Sequence, residues 1–275
     1  MTFDYSVRGK VRISMEGYVH EVMELCEVTG KASTPATVNL FTINELADKL
    51  LIPQAKLFHS RVAKILYLGK RVRPEILTPI IFLTTRVKSP DVEDWAKLDR
   101  VLRYLNATRD LCLTIELDKQ INVLAYIDCS HGVHANGRGH SGSVITLGKG
   151  AVHASSAKQK LVSKSSTETE LIGLTDKSSQ VIWSRNFLIE QGHPVPPATI
   201  FQDNMSTLAL VDKGRSTNER TRHIHVRYYF IKDRVSKQEI KLAYLPTGEM
   251  VADILTKPLQ GSLFREMRAK LLNLE

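Results

Sequence analysis

The sequence predicts an α/β protein: a mixed sheet of about five strands with flanking helices, preceded by a small helical segment. Three observations carry this expectation. Residues 119–260 read as β-β-β-α-β-α-α-β-α, a meander followed by alternating helices and strands. Residues 55–118 place apolar side chains at helical rather than alternating spacing. The composition, 43% hydrophobic and 24% charged, is that of a chain able to bury a core rather than of a disordered one.

From the start, Phe3–Ser6 and Lys10–Ser14 read as a hairpin around Val7-Arg8-Gly9, and Gly17 to Leu25 as a helix. Thr29–Asn39 has linker composition. Next come helical runs at Phe58–Leu68 and Pro74–Val87, the second expected to kink at Pro79. Ser89-Pro90-Asp91 reads as a helix start with Ser89 as cap, followed by the stripe Trp95, Leu98, Val101, Leu102 and Leu105. Ile121 to Asp128 is a β-run ending in an acid. Gly139–Leu147 and Ala151–Ser155 follow as strands, joined by a turn at Gly148-Lys149-Gly150. Thr167–Ile189 is a long amphipathic helix that His193-Pro194 ends. Ala198–Gln202 is a strand, Asn204–Val211 a short helix, Arg222–Val235 a basic helix, Glu239–Tyr244 a strand and Gly248–Lys257 a last helical segment.

No apolar run reaches the ~18 residues of a membrane helix. The first thirty residues mix charge with apolar groups, so neither a membrane segment nor a signal peptide is expected; the expectation is an intracellular location, with cytoplasm and nucleus both open. Cys26, Cys112 and Cys129 form no Cys-x-x-Cys pair, which argues against a disulfide scaffold and a cysteine zinc site. The histidines His131, His134 and His140 sit in a Gly-rich loop that explains them without zinc.

Four acids stand at informative places: Asp128 ends the first strand of the meander, Glu170 lies in the first turn of the long helix, Asp203 follows the fourth strand, and Asp253 is in the last helical segment. Each has a local explanation. Asp128 fits a turn, Asp203 a helix cap, Asp253 a solvated helix position, and Glu170 a capping box begun by Thr167, with Ser165 and Glu168 as an alternative box. Together they suggest more. Strands one and four of such a sheet can lie side by side with both Asp at one end, and the helices can bring Glu170 and Asp253 over them. Four carboxylates so gathered need compensation, which hard, oxygen-seeking Mg²⁺ supplies. Two such ions roughly 4 Å apart activate a water and stabilise the leaving oxygen of a phosphodiester; Mn²⁺ is a possible substitute.

These residues also carry a resemblance. Tyr126-Ile127-Asp128, Ser165-Ser166-Thr167-Glu168-Thr169-Glu170-Leu171, Gln202-Asp203-Asn204-Met205-Ser206 and Ala252-Asp253-Ile254-Leu255-Thr256-Lys257-Pro258-Leu259 resemble the ribonuclease H domain of Ty1/copia-type retrotransposon polyproteins. The resemblance implies a ribonuclease H-like fold over residues 119–260. It also implies metal-dependent hydrolysis of the RNA strand of RNA/DNA hybrids, with Asp128, Glu170, Asp203 and Asp253 as catalytic and metal-binding residues. Residues 1–54 are similar to the end of a reverse transcriptase palm and its linker, and 55–118 to a thumb or connection, leaving 261–275 as a C-terminal helix. Other polyprotein segments are then possible partners. No Tyr-x-Asp-Asp occurs, so polymerase activity is not expected. Many ribonucleases H carry a His in the loop before the last Asp; Pro246-Thr247-Gly248-Glu249 has none, which bears on turnover.

The formal charge of +9 fits a polyanionic partner. Arg61, Lys64, Lys70, Arg71 and Arg73 form one basic run, and Lys158, Lys160 and Lys164 another. Residues 215–241 hold eight basic side chains, Arg222 and Arg227 among them, against three acidic ones. Lys164, Arg222 and Arg227 are candidate phosphate contacts, and Ser130, Asn204 and Ser206 candidates for reading the 2′-hydroxyl of RNA. The competing expectation is a non-catalytic remnant that binds nucleic acid without cutting it.

Overall fold

The structure is a computed structural model and describes residues 1–213 and 222–274, with side chains except at 213 and 222–225. Two sheets organise it. The first has strand order β1-β2-β3-β6: β1 (Thr2–Asp4) and β2 (Lys10–Ser14) form the expected hairpin, and β3 (Leu113–Leu117) pairs antiparallel with β2. The fourth strand, β6 (Gly148–Lys149), replaces the expected turn. It leaves the meander to pair with Glu116 and Leu117 of β3. Gly148 has φ 155° and Gly150 φ 76°, and a Cβ at Gly148 would meet the Glu116 carbonyl oxygen, so this crossing between sheets requires glycine.

The helices α1 (Glu16–Leu25), α2 (Ile52–Arg71), α3 (Leu77–Thr84) and α4 (Val92–Ala107) pack on one another and share a core with Ile13 of β2 and Leu113 of β3. Pro79 does not kink a long helix. The run is divided between a 3-10 turn at Pro74–Ile76 and α3, and Pro79 falls in the first turn of α3, where backbone N–H groups have no helical acceptor. The cap of α4 is Asp91, not Ser89. Asp91 and Asp94 each accept from the other's backbone N–H, a capping box that satisfies two orphan donors.

The second sheet has order β7-β5-β4-β8-β9, from β4 (Leu124–Ser130), β5 (His140–Thr146), β7 (His153–Lys158), β8 (Ala198–Gln202) and β9 (Ile240–Tyr244). The β4-β5-β7 meander is antiparallel, while β4, β8 and β9 are parallel, so the sheet is mixed as expected. Its pleat divides two cores. Ala125, Ile127, Ile145 and Ile200 pack with Leu171, Leu174 and Val181 of α5 (Ser166–Glu190) and with Tyr228 and Ile231 of α7 (Arg222–Ser236). The alternate residues Tyr126, Val144 and Phe201 join the other core, shared with α2 to α4 and with Phe264 and Met267 of α8 (Gly261–Leu272). The short helix α6 (Met205–Lys213) follows β8. Gly248–Lys257 is not a helix but two 3-10 turns, Thr247–Glu249 and Val251–Leu255. Val251, Ala252, Ile254 and Leu255 are all buried there, which leaves no solvent face for a regular surface helix.

Among the described residues no helix is long and apolar enough to cross a membrane. All three cysteines are free and buried.

Candidate active site

The topology puts two acids at one edge. Strands β4 and β8 are parallel neighbours, pairing Leu124 with Thr199 and Tyr126 with Phe201. Asp128 near the end of β4 and Asp203 just past β8 therefore emerge on the same carboxyl side. Asn204, not Asp203, caps α6: its Oδ1 accepts from the Thr207 backbone N–H at 3.0 Å, which releases Asp203 from a capping role. Asp203 Oδ2 instead accepts from the Thr247 hydroxyl at 2.8 Å.

Glu170 arrives from α5. Of the two possible capping boxes, Ser165 is the cap: its Oγ accepts from the Glu168 N–H at 3.2 Å. The Glu168 carboxylate turns back to the Lys164 N–H at 2.8 Å. Glu170 is thereby free to point at the sheet, where Oε1 accepts from the Cys129 N–H and Oε2 from the Gln202 side-chain amide, both at 3.3 Å. The helix approaches this closely because residue 173 is glycine; a Cβ there would overlap Cys129 Sγ.

Asp253 comes from the Val251–Leu255 turn, which lies against β5 because residue 142 is also glycine. A Cβ at Gly142, directly across from Asp128 in the ladder, would come within 2.8 Å of Leu255 and Thr256 side-chain atoms. Thr256 donates its hydroxyl to Asp128 Oδ2. Lys257 Nζ lies 2.8 Å from Asp253 Oδ1 and 3.5 Å from Asp128 Oδ2.

The geometry has an electrostatic consequence. One carboxylate oxygen each from Asp128, Glu170 and Asp203 lies within 4.8 Å of the others. Burial, and then the charges of Asp128 and Asp203, push the Glu170 carboxyl up to about 9. Burial and Asp128 push Asp253 up to about 7, against the pull of Lys257. Burial disfavours the Lys257 charge, yet Asp128 and Asp253 outweigh it and hold its pKa above the ordinary value. Three hard oxygen donors that resist sharing negative charge fit a divalent cation such as Mg²⁺ or Mn²⁺. Asp253 lies outside this trio and shares the Lys257 ammonium with Asp128.

A pH dependence follows. A carboxyl whose folded pKa lies above its unfolded value keeps its proton on folding, so stability falls as pH rises between the two values. For Glu170 that window runs from its ordinary 4.5 to about 9. Below about pH 6.5 the buried pair His134 and His140, whose pKa values burial lowers, opposes this loss, so the metal-free protein should lose melting temperature from about pH 6.5 to about 9. Glu170→Gln should flatten the slope, and so should saturating Mg²⁺; a melting series over pH, with and without Mg²⁺, checks both.

The other expected contacts are placed as follows. Ser130 is buried and donates to the Thr256 carbonyl at 3.3 Å, so its hydroxyl serves the turn that carries Asp253. Ser206 and Lys164 are exposed, near Asp203 and at the approach to α5 respectively. Arg227 is paired with Asp176 on α5 and donates to the Ile172 carbonyl at 3.4 Å. The Arg222 side chain lies outside the described residues, as do the side chains of His223 and His225. Within the first basic run, Arg73 is buried, bonded to Glu75 at 2.6 Å and to Thr108, and Arg61 stacks over Trp95, so neither is a free phosphate contact. His134 Nε2 pairs with His140 Nδ1 at 3.0 Å and His140 Nε2 with Ser156 at 2.7 Å, which spends these nitrogens inside the fold. Burial lowers both histidines, to about 4 and about 3, so the pair stays neutral.

Sequence reasoning did not assign a role to Gly142, Gly173, Gln202, Thr256 or Lys257. The available signal was the four-residue spacing of Asp253 and Lys257, which puts the two side chains in reach in a helical turn.

Fold and site together define an α/β protein of the ribonuclease H-like class, with a carboxylate cluster at the carboxyl edge of a mixed five-stranded sheet. Its homologues are Ty1/copia-type Pol polyproteins, similar across most of the chain. The retrovirus-related Pol polyprotein from transposon TNT 1-94 of Nicotiana tabacum is 29% identical over 266 residues, covering 93% of this chain and 20% of that protein. The Pol polyprotein from transposon RE1 of Arabidopsis thaliana is 29% identical over 72% of this chain and 14% of its own length. The Ty1-JR2 Gag-Pol polyprotein of Saccharomyces cerevisiae is 23% identical over 74% of this chain and 12% of its own. The chain thus spans a fifth or less of the length of these curated relatives. No family model matches it. Among solved structures, LC11-RNase H1 isolated from compost is 16% identical, covering 50% of this chain and 93% of its own, with a TM-score of 0.38. The native prototype foamy virus protease-reverse transcriptase is 14% identical over 85% of this chain and 29% of its own, with a TM-score of 0.35.

Proposed function

We propose that this chain is a ribonuclease H that hydrolyses the RNA strand of RNA/DNA hybrids, with Asp128, Glu170, Asp203 and Asp253 as its catalytic carboxylates. The observation that carries the reading is the convergence of Asp128, Glu170 and Asp203 oxygens within 4.8 Å at one sheet edge. The Pol polyprotein homologues support it. The four acids would hold two Mg²⁺, with Mn²⁺ as substitute. When bound, the ions supply a water of lowered pKa and charge stabilisation at the departing 3′ oxygen.

The chain's own groups orient the acids. Thr256 and Lys257 fix Asp128 from one side, Cys129 and Gln202 hold both oxygens of Glu170, and Thr247 holds Asp203. Each of these carboxylates keeps lone pairs uncommitted. Lys160 and Lys164, exposed on the approach to α5, would place the phosphate backbone, and Ser206 and Asn204 beside Asp203 would meet the RNA sugar. Residues 1–54 and 55–118 are read as a polymerase tail with its linker and as a connection that supports the hybrid, 119–260 as the ribonuclease H-like domain and 261–275 as a C-terminal helix.

The test is a labelled RNA strand in a hybrid, incubated with Mg²⁺ and with chelator. Cleavage of the RNA in the hybrid only, abolished by chelator, is the expected result. Binding without cleavage at any Mg²⁺ or Mn²⁺ concentration would replace this reading with that of a non-catalytic remnant. Hybrid affinity should fall by at least about tenfold between 50 and 200 mM salt, since even a few phosphate contacts release counterions; a filter-binding titration against salt measures it.

A further inference from the structure

We infer that Lys257 is a built-in cation at the second-ion position: its ammonium fills the Asp128–Asp253 side of the cluster, so the chain alone takes one divalent ion and admits another only when Lys257 is displaced. The inference rests on the reading of the acids as metal ligands. The ammonium bridges two carboxylates as an ion would, at 2.8 Å from Asp253 Oδ1 and 3.5 Å from Asp128 Oδ2. The rest of the cluster is treated differently. Glu170 accepts from the neutral donors Cys129 N–H and the Gln202 amide, and the Asp203 carboxylate from the neutral Thr247 hydroxyl. Among the described residues no ion pair reaches either of them. The three-oxygen convergence excludes Asp253, the acid Lys257 holds most closely.

The lysine is delivered by the fold rather than by chance. The Lys257 N–H donates to the Asp253 carbonyl at 2.8 Å, which sets the side chain one turn from its partner, and the preceding residue, Thr256, engages Asp128 as well. Its side chain is also 37% exposed, so the flexible stem has a path into solvent. An ammonium and a dication cannot share the Asp128–Asp253 edge without strong like-charge repulsion. An incoming backbone phosphate would give the displaced ammonium a new anionic partner, coupling entry of the second ion to entry of the hybrid.

Manganese counting by electron paramagnetic resonance on the full chain without nucleic acid tests this. We expect one Mn²⁺ per chain in the wild type, two in Lys257→Met and in Lys257→Gln, and loss of the wild-type ion in Asp203→Asn. A lysine with only a structural role would lower stability and leave the count at one. A wild-type count of two, or a count of one in either folded Lys257 variant, overturns the inference while leaving the acids as metal ligands. A wild-type count of zero removes the metal reading as well.

Discussion

Asp128→Asn should lower hybrid cleavage by about a thousandfold or more while the protein stays folded. Asp128 is the hub of the cluster: its charge raises both Glu170 and Asp253, and Thr256 and Lys257 both address its Oδ2. Asparagine preserves the shape and can still accept from Thr256, so the packing around β4 should survive. It removes the charge that a dication needs at the centre of the site, an interaction of several kcal/mol, which corresponds to about a thousandfold or more in rate. Removing one of several crowded anions also relieves repulsion, so the metal-free melting temperature should hold or rise. Single-turnover cleavage of labelled hybrid, with a thermal melt of the same preparation, checks both parts. An Asp128→Asn protein that remains folded and cleaves at the wild-type rate would contradict the assignment.

Gly173→Ala should destabilise the protein by about 2–3 kcal/mol, although helix propensity alone favours alanine over glycine by about 1 kcal/mol. The two considerations give opposite signs, and packing decides. Gly173 is in the interior of α5, and an added methyl would overlap Cys129 Sγ and come within 3.1 Å of Ser141 Oγ. The helix must then lift from β4. Glu170 lies one turn earlier on the same helix, so the displacement also draws its carboxylate from Asp128. The melting temperature should fall by about 5 °C or more, with reduced cleavage. Cys129→Ala removes the opposing sulfur, and the double variant should recover a coupling energy of about 1–3 kcal/mol in a double-mutant cycle read by denaturant unfolding. Strict additivity would show that the close approach of α5 and β4 is not what glycine provides there.

The strand-end acids were legible because their signals are local. The β-runs Leu124–Ile127 and Ala198–Gln202 are each followed directly by an acid, and parallel pairing follows from the helical crossover between them. Glu170 was legible once Ser165 and Glu168 accounted for the cap. Asp253 was legible as a residue but not as a shape: every apolar residue from Val251 to Leu255 is buried, so the helical period that would mark a surface helix is missing and a 3-10 turn forms. The partners that tune the site were not legible at all. That Lys257 lies between Asp253 and Asp128 depends on a turn packing across β5, which depends in turn on Gly142. The same holds for β6, whose Gly148-Lys149-Gly150 reads locally as a turn until β3 supplies a partner. Arg73 reads as part of a basic face until Glu75 and Thr108 enclose it. In each case a contact distant in sequence overrides the local pattern.

The most direct measurement is anomalous scattering from crystals of the full chain soaked in Mn²⁺. A peak in contact with carboxylate oxygens of Asp128, Glu170 and Asp203 is the predicted result. Ordered Mn²⁺ elsewhere on the protein, with no peak among these three acids, would contradict the assignment of the cluster as a metal centre.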